Sequence, residues 1–318
     1  MAKMTYVQAI HDAMAQEMRR DENIFIAGED VSRKHVPELF EEFGPRRVRV
    51  TPISEAQIIS LGVGAAAMGL RPILIMAFMD FILSAMDEIT NQAAKLTYML
   101  GGQTHIPMVI YASMGAGINM AAQHSQSLEA VFAHIPGLKV VTFSSPAKAK
   151  GLFSQAIRDD NPVLCLDHKC LAGMEEEVPD GPFTLPLGKA DIVREGKDIT
   201  FITWSRMVQT CLEAANTLDK QGVSAEVVDI VSMTPLDEDA ILTSAAKTGR
   251  VVIVQEATQH AGFGGEIAAR IADKGFDSLK KPIKRVGAPF IPVPFSPVLE
   301  NLYLPNAALV VKTAEEIL

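Results

Sequence analysis

The sequence predicts an α/β fold of two domains, and three observations lead to that prediction. The chain has 318 residues, more than the usual length of one domain. Continuous apolar runs such as "NIFIAG" (23–28) and "PILIMAF" (72–78) alternate with longer helical segments, as in parallel sheets that are covered on both faces. Residues 173–188 interrupt this alternation with acids, three prolines and three glycines, a composition typical of a linker. We therefore predict one domain at 1–185 and a second at 186–318.

The predicted elements follow in order along each domain. Apolar residues recur at helical spacing from Val7 to Met18, after a Thr5–Gln8 capping box, and predict an N-terminal helix. The rest of the first domain has strands at 23–28, 72–78, 107–113, 138–143 and 162–167, and helices at 54–70, about 80–100 and 147–159. The second domain has strands at 198–204, 225–233 and 250–257, and helices at 208–221, 237–248 and 264–274.

Charge and composition exclude several classes of protein. The net charge of −9 and the pI of about 5.3 argue against nucleic acid or an anionic membrane as the main partner. No stretch reaches the roughly 20 apolar residues that a membrane span needs, and the N-terminus lacks the apolar core of a signal peptide. Three cysteines without metal or redox spacing fit a reducing compartment. We therefore expect a cytoplasmic protein.

Glu55 is the first candidate functional residue. It begins a helix that has Ser54 as a predicted N-cap and Gln57 as its capping-box partner. Five small residues between Gly62 and Ala67 suggest that the helix is buried, and a buried carboxylate needs a partner. No partner is supplied locally, so a ligand is one candidate. The alternative is that Glu55 only complements the helix dipole at a surface.

Two strand-to-helix loops are the next candidates. His124 lies in the loop "MGAGINMAAQHSQSLEA" (114–130), and such loops form the ligand crevice of parallel α/β sheets. The alternative for His124 is a hydrogen-bonded structural role. The segment "ATQHAGFGGEIAARI" (257–271) resembles a dinucleotide fingerprint, but the third glycine would fall at Ile267. A tight turn explains that segment better.

Several motifs together resemble one family. "TPISE", "GLRPI", "NQAAKLTYMLGGQ", "AAQHSQS", "AIRDDNPV" and "TPLDEDAIL" occur in the order found in the β subunits of thiamine-diphosphate-dependent 2-oxo acid dehydrogenases. The similarity runs from about residue 5 to the end. "AQEMRRD", "AHIPGLKVV", "DHK" and "PVPFSPVLENLYLP" resemble the acetoin dehydrogenase members in particular. The resemblance implies a pyrimidine-binding domain followed by a transketolase-type C-terminal domain.

The resemblance also implies roles for individual residues. Glu55 would hydrogen-bond the aminopyrimidine of thiamine diphosphate and help to activate the thiazolium carbon as a nucleophile. Phe81 would pack on the pyrimidine ring. His124 would line the mouth of the active site and assist proton transfer, or acyl transfer to lipoamide. A potassium site built partly from backbone oxygens would involve Met108, Ala156, Ile157, Asp159 and Asn161.

The chain lacks the motifs with which the family holds the diphosphate. In the family, magnesium binds at a G-D-G motif with a later asparagine pair, and neither occurs here. The resemblance therefore implies that an α subunit holds magnesium and the diphosphate, in an α2β2 heterotetramer. A lipoyl-bearing acyltransferase is the further expected partner.

The sequence also departs from the family pattern. The loop "SRKHVPELFEEFG" after Val31 is short and lacks glycine until Gly44, Val50 replaces an acid, and Tyr111 stands where many members have arginine.

The function that the resemblance implies is cleavage of acetoin to acetaldehyde, with transfer of the acetyl unit to lipoamide. The alternative is the same subunit of a pyruvate or branched-chain 2-oxo acid dehydrogenase. A non-catalytic scaffold and a nucleotide-binding oxidoreductase are less consistent with Glu55, His124 and the broken glycine fingerprint.

Overall fold

The computed structural model describes residues 1–318, which divide into two units. The first unit consists of residues 1–114 and 131–187, and the second of 115–130 and 188–318. The predicted two-domain α/β class is confirmed. The sequence pattern predicted a single boundary at 185/186, and it gave no sign that residues 115–130 group with the C-terminal half.

The apolar runs of the first unit form one parallel sheet. Its strands lie in the order β6-β7-β5-β4-β2-β3, and every adjacent pair is parallel. Every residue of β2 and β7 is buried, and because successive side chains point to opposite faces, both faces of the sheet are covered. The strands are β1 Ala2–Thr5, β2 Ile24–Gly28, β3 Val48–Val50, β4 Arg71–Phe78, β5 Val109–Met114, β6 Lys139–Thr142, β7 Val163–His168 and β8 Glu175–Val178.

Helices and shorter turns connect these strands. The helices are α1 Tyr6–Arg20, α2 Pro37–Phe43, α3 Glu55–Ala67, α4 Met79–Ile82, α5 Leu96–Met99, α6 Glu129–Ala133 and α7 Pro146–Arg158. The chain passes from the second unit back to the first within α6, between residues 130 and 131. The predicted capping box of α1 is present, with the Gln8 amide donating to Thr5 Oγ1 (3.2 Å) and the Thr5 amide to Gln8 Oε1 (2.8 Å).

The second unit has a mixed sheet in the order β14-β13-β10-β11-β9. The edge strand β9 runs antiparallel to β11, and the other pairs are parallel. Its core includes Phe201, Leu218, Val254 and Val310. The elements are β9 Asp191–Arg194, β10 Ile199–Thr203, β11 Ala225–Asp229, β12 Ser232–Thr234, β13 Val251–Thr258, β14 Lys284–Ala288, α8 Met207–Asp219, α9 Glu238–Thr248, α10 Phe263–Lys274, α11 Pro297–Tyr303 and α12 Ala307–Glu315.

The long helix predicted at about 80–100 is wrong. The segment consists of α4, a 3₁₀ turn at Leu83–Ala85, a π-helical turn at Glu88–Ala93 and α5. Side chains in it bond to nearby backbone and polar groups, such as Ser84 Oγ to the Phe81 carbonyl (2.9 Å) and Thr90 Oγ1 to the Met86 carbonyl (2.6 Å). Serine and threonine offer the backbone such alternatives to regular helical bonding, and the apolar periodicity does not reveal them.

The predicted linker contains a strand that the sequence pattern missed. Residues 175–178 form β8, which pairs antiparallel with β1 at the N-terminus. Lys3 forms an ion pair with Glu175 across this pair. Three consecutive glutamates hide the strand from a search for apolar runs, because its stability comes from pairing with the other chain end rather than from burial of both faces.

The start of α3 also differs from expectation. Ser54 occupies the N-cap position with an extended backbone, but its side chain makes no capping hydrogen bond, so the predicted Ser54–Gln57 capping box is wrong. The helix is buried on one side only: Ile58 and Ile59 are buried, whereas Leu61 is 42% exposed. Within this chain, α3 therefore presents an open apolar side.

Candidate active site

Glu55 lies in the first turn of α3, where the helix dipole favours a negative charge. It is half-buried. Ser84 Oγ lies 3.3 Å from Glu55 Oε2 and 2.9 Å from the Phe81 carbonyl oxygen. Because a hydroxyl has one proton, Ser84 donates to one of these acceptors at a time. The carboxylate therefore has only a weak, shared partner within the chain.

A second carboxylate stands beside Glu55. Glu29 follows the last residue of β2, at the carboxyl edge of the first sheet. Burial raises the pKa of Glu29, and the nearby charges of Glu55 and Asp30 raise it further, against a lowering effect of Lys34. Sequence reasoning missed Glu29, although an acid directly after a buried strand was a signal that could have found it.

Phe81 belongs to the same neighbourhood. It lies in α4, and its ring packs edge-on against Phe78, with ring centres 5.7 Å apart and an interplanar angle of 85°. The Lys169 ammonium lies 4.9 Å from the centre of the Phe78 ring. The structure thus brings Glu55 and Phe81 together through Ser84, at the C-terminal end of β4.

His124 lies in the second unit, half-buried within the loop at 115–130. The backbone of this loop has left-handed conformations at the non-glycine residues Asn119 and Ala121, with φ of 60° and 61°. Such conformations are costly for residues with a side chain and persist where the surroundings hold them. The position of His124 therefore depends on what anchors this loop.

Two buried carboxylates of the second unit provide the anchors. Glu300, 1% exposed, accepts the backbone N–H of Gly117 with Oε1 and that of Asn119 with Oε2, both at 2.9 Å. Glu256, 6% exposed, accepts the N–H of Ala116 with Oε1 at 2.8 Å. Charge-assisted hydrogen bonds of this kind are about twice as strong as neutral ones. Sequence reasoning missed both residues, although an acid inside the apolar run "RVVIVQEA" was a signal for Glu256.

The carbonyls named for the potassium site already have donors. The Ile157 and Asp159 carbonyl oxygens both accept from Arg71 Nη1, each at 3.1 Å. The Met108 carbonyl accepts from the amide of Val163 at 2.9 Å. A carbonyl oxygen has two lone pairs, and backbone carbonyls are suitable ligands for a hard cation, so the donor set suits potassium in kind. Two of the oxygens converge on the Arg71 guanidinium.

The remaining members of the set lie beside these carbonyls. The Ala156 carbonyl accepts from the Asp159 amide at 3.3 Å, and Asp159 Oδ1 accepts the Asn161 amide at 2.9 Å. Asp159 also forms an ion pair with Lys139.

The structure contains no group of three or more His, Cys, Asp or Glu suited to a metal ion. None of its helices is both long enough and apolar enough to cross a membrane.

Two protein-family models match the two parts of the chain. Residues 2–173 match the pyrimidine binding domain of transketolase, and residues 188–310 match the transketolase C-terminal domain. A solved structure described as a split gene transketolase, an inactive β4 tetramer, superposes with a TM-score of 0.83 over 97% of this chain and 96% of that chain, at 23% identity. The fold and the domain order thus define a transketolase-like protein.

Similar proteins identify a narrower family within the transketolase-like class. The chain is 47% identical to the acetoin:2,6-dichlorophenolindophenol oxidoreductase subunit beta of Bacillus subtilis (strain 168), over 98% of this chain and 96% of the relative. From the same organism, the 2-oxoisovalerate dehydrogenase subunit beta is 44% identical (96% of each chain), and the pyruvate dehydrogenase E1 component subunit beta is 42% identical (100% and 99%). The chain belongs to the family of β subunits of thiamine-diphosphate-dependent 2-oxo acid and acetoin dehydrogenases, and is an oxidoreductase subunit.

Proposed function

We propose that the chain is the β subunit of an acetoin dehydrogenase that cleaves acetoin to acetaldehyde and passes the acetyl unit to lipoamide. The observation that carries the site is the position of Glu55 at a helix N-terminus, where Ser84 Oγ lies within reach of both the Glu55 carboxylate and the backbone carbonyl of Phe81. The match to a pyrimidine binding domain supports thiamine diphosphate as the group that this corner holds. The relatives named for acetoin, at 44–47% identity, support the substrate.

Glu55 and Phe81 would hold the pyrimidine end of the cofactor. When bound, thiamine diphosphate supplies a carbon nucleophile and an electron sink for cleavage next to a carbonyl. Glu55 would act as an anionic acceptor that stabilises a proton on the pyrimidine, and Phe81 would supply an apolar face for the ring. Glu29, whose pKa is raised partly by the Glu55 charge, is the neighbouring carboxylate of this corner. His124 would line the mouth of the site and assist proton transfer, or acyl transfer to lipoamide.

The other half of the site would come from an α subunit. This chain lacks the G-D-G and asparagine-pair motifs, so the α subunit would hold magnesium and the diphosphate in an α2β2 heterotetramer. Exposed apolar side chains support assembly, because large exposed patches mark contact surfaces. In the C-terminal tail they are Phe290, Ile291, Phe295, Val298, Leu299 and Leu302. A lipoyl-bearing acyltransferase is the proposed further partner.

Potassium is part of the proposal as a structural ion. Backbone oxygens are of the kind that potassium prefers, and the proposed segment supplies them from Met108, Ala156, Ile157, Asp159 and Asn161. The Ile157 and Asp159 carbonyls both accept from Arg71. In this chain the Arg71 guanidinium already supplies a positive charge at that point. Because like charges repel, a potassium ion would have to be held by oxygens of the segment other than the two that Arg71 contacts.

Substrate preference is the first test of the proposal. In the complex reconstituted with the α subunit and the acyltransferase, we expect a higher kcat/KM for acetoin than for pyruvate or branched-chain 2-oxo acids. The measurement is NADH production after a lipoamide dehydrogenase, coenzyme A and NAD⁺ are added to the complex at matched subunit concentrations. A preference for pyruvate or for a branched-chain 2-oxo acid would instead support the alternative subunit, since those relatives are 42% and 44% identical.

Glu300 offers a test of the loop that carries His124. Glu300→Ala removes the acceptor of two backbone N–H groups, and an unsatisfied buried group costs about 1–3 kcal/mol. Because a displacement of about 1 Å can cost roughly a hundredfold in rate, we expect kcat in the reconstituted complex to fall about 10–100-fold. Glu300→Gln, which keeps one acceptor, should lie between Glu300→Ala and the parent chain.

The control for Glu300 is Glu213→Ala, because Glu213 is exposed on α8. That variant should leave both kcat and the melting temperature unchanged. Amide hydrogen exchange of residues 115–121 distinguishes the two effects. Loss of the anchor should raise exchange in this loop alone, whereas a general loss of stability should raise it throughout the unit. Unchanged exchange and unchanged kcat in Glu300→Ala would contradict an anchoring role for this carboxylate.

A further inference from the structure

A cavity of about 260 Å³ lies within the first unit, apart from Glu55. Its walls come from the C-terminal ends of β4, β5 and β7, from α1, and from the turn after β2. Polar side chains in the walls include Tyr111, Ser113, Asp167, His11 and His35. The volume corresponds to several water molecules at about 30 Å³ each. The cavity is therefore large enough for a small ligand with accompanying water.

Asp167 is the central group of this cavity. It is only 4% exposed, and its Oδ1 atom has no hydrogen-bond partner. Tyr111 and Ser113 both donate hydrogen bonds to its carboxylate. Burial raises the pKa of Asp167 to about 6, against the lowering effects of Ser113, His168, Lys169 and Tyr111. At neutral pH the cavity thus contains a buried carboxylate with one oxygen unsatisfied, which is a costly arrangement.

The neighbouring basic groups make contacts of their own, although the charges of Lys169 and His168 also act on Asp167. Burial lowers the pKa of both His11 and His35. His11 Nδ1 lies 2.5 Å from Glu38 Oε1, and Lys34 Nζ lies 2.5 Å from Asp30 Oδ2. The Lys169 ammonium lies over the Phe78 ring, at 4.9 Å from its centre. None of these contacts supplies a donor to Asp167 Oδ1.

We propose that this cavity binds a small cation that carries N–H donors, of the ammonium or guanidinium class, with Asp167 Oδ1 as its anchor. The unsatisfied oxygen requires a donor, and opposite charge is favoured most where the surroundings exclude water. Tyr111, on the neighbouring strand β5, lies in the same wall and contributes its hydroxyl to this carboxylate.

The test compares three chloride salts at equal ionic strength on the full chain. Guanidinium at millimolar, non-denaturing concentration has N–H donors, whereas tetramethylammonium has the charge without donors, and sodium controls for salt. We expect saturable stabilisation by guanidinium alone, raising the melting temperature by about 2–4 °C once its concentration reaches roughly ten times Kd. Isothermal titration should give one site per chain.

Two variants decide between this site and a cavity that holds only water. Asp167→Asn removes the charge and should abolish the guanidinium response, while the exposed Asp273→Asn makes the same chemical change elsewhere and should retain it. Tyr111→Arg places a covalently attached guanidinium at the cavity, so the response to free guanidinium should disappear. This variant tests the site independently if Asp167→Asn fails to fold. Equal shifts with all three salts, or a guanidinium response that persists in Asp167→Asn or Tyr111→Arg, would overturn the proposal.

Discussion

Replacing Glu55 with glutamine should reduce turnover of the reconstituted complex by about 10²–10⁴-fold, because proton-transfer assistance is typically worth that much. The glutamine side chain keeps the size and can still hydrogen-bond, but it cannot stabilise a protonated pyrimidine as an anion does. Folding should change far less. Loss of the charge–dipole interaction costs about 0.3–1 kcal/mol, and Ser54 makes no capping bond that the change could disturb. Turnover and melting temperature measured together separate these effects.

Two comparisons make the Glu55 experiment specific. Glu41→Gln removes an exposed carboxylate of the same unit and should leave turnover unchanged. In Glu55→Gln the pKa of Glu29 should fall towards its ordinary value, because the Glu55 charge helps to raise it; carboxyl NMR titration can follow this shift. Turnover within a few-fold of that of the parent chain would show that Glu55 is only a helix-terminal charge.

The chain without its partner should be catalytically inert and should bind thiamine diphosphate weakly. The reason is that the tightest contacts of such a cofactor are made to its diphosphate through magnesium, and this sequence has no G-D-G or asparagine pair to supply them. Isothermal titration of the purified chain with cofactor and magnesium measures the affinity. The same titration after addition of the α subunit should give tight, stoichiometric binding.

We call the proposal that this chain holds only the pyrimidine end of the cofactor the half-site interpretation. It predicts different behaviour for two fragments of the cofactor. The pyrimidine fragment alone should bind the isolated chain about as well as the whole cofactor, since we propose that this chain holds only the pyrimidine end. Pyrophosphate with magnesium should not bind measurably. Stoichiometric binding of the complete cofactor at sub-micromolar concentration without any partner would contradict the half-site interpretation.

The sequence predicts well those parts of the fold in which local pattern and burial agree. The run "PVLCLD" becomes β7 because all its side chains are buried, so a continuous apolar run is sufficient evidence. Prediction fails where structure depends on distant or irregular bonding. Ser84 and Thr90 bond to backbone carbonyls within the broken segment after β4, and β8 exists because it pairs with β1. Neither effect is visible in a window of sequence.

The same contrast holds for the candidate site. Glu55 and Phe81 could be proposed from the sequence, because each lies within a short motif that resembles the family. Glu300 could not, because its role depends on meeting the amides of Gly117 and Asn119, which lie more than 180 residues away in sequence. Asp167 ends an apolar strand, and its unsatisfied oxygen becomes visible only when the walls of the cavity are known.

The grouping of residues 115–130 with the C-terminal half restricts how this gene can recombine. The chain changes unit at 114/115, 130/131 and 187/188, so one crossover near residue 187 would separate Gly117 and Asn119 from the Glu300 carboxylate that binds them. A hybrid of two divergent homologues would then join a loop and an anchor that had evolved apart. We expect viable natural hybrids to exchange the loop together with the C-terminal half, through three crossovers near these junctions, so that His124 and its anchors descend from one ancestor.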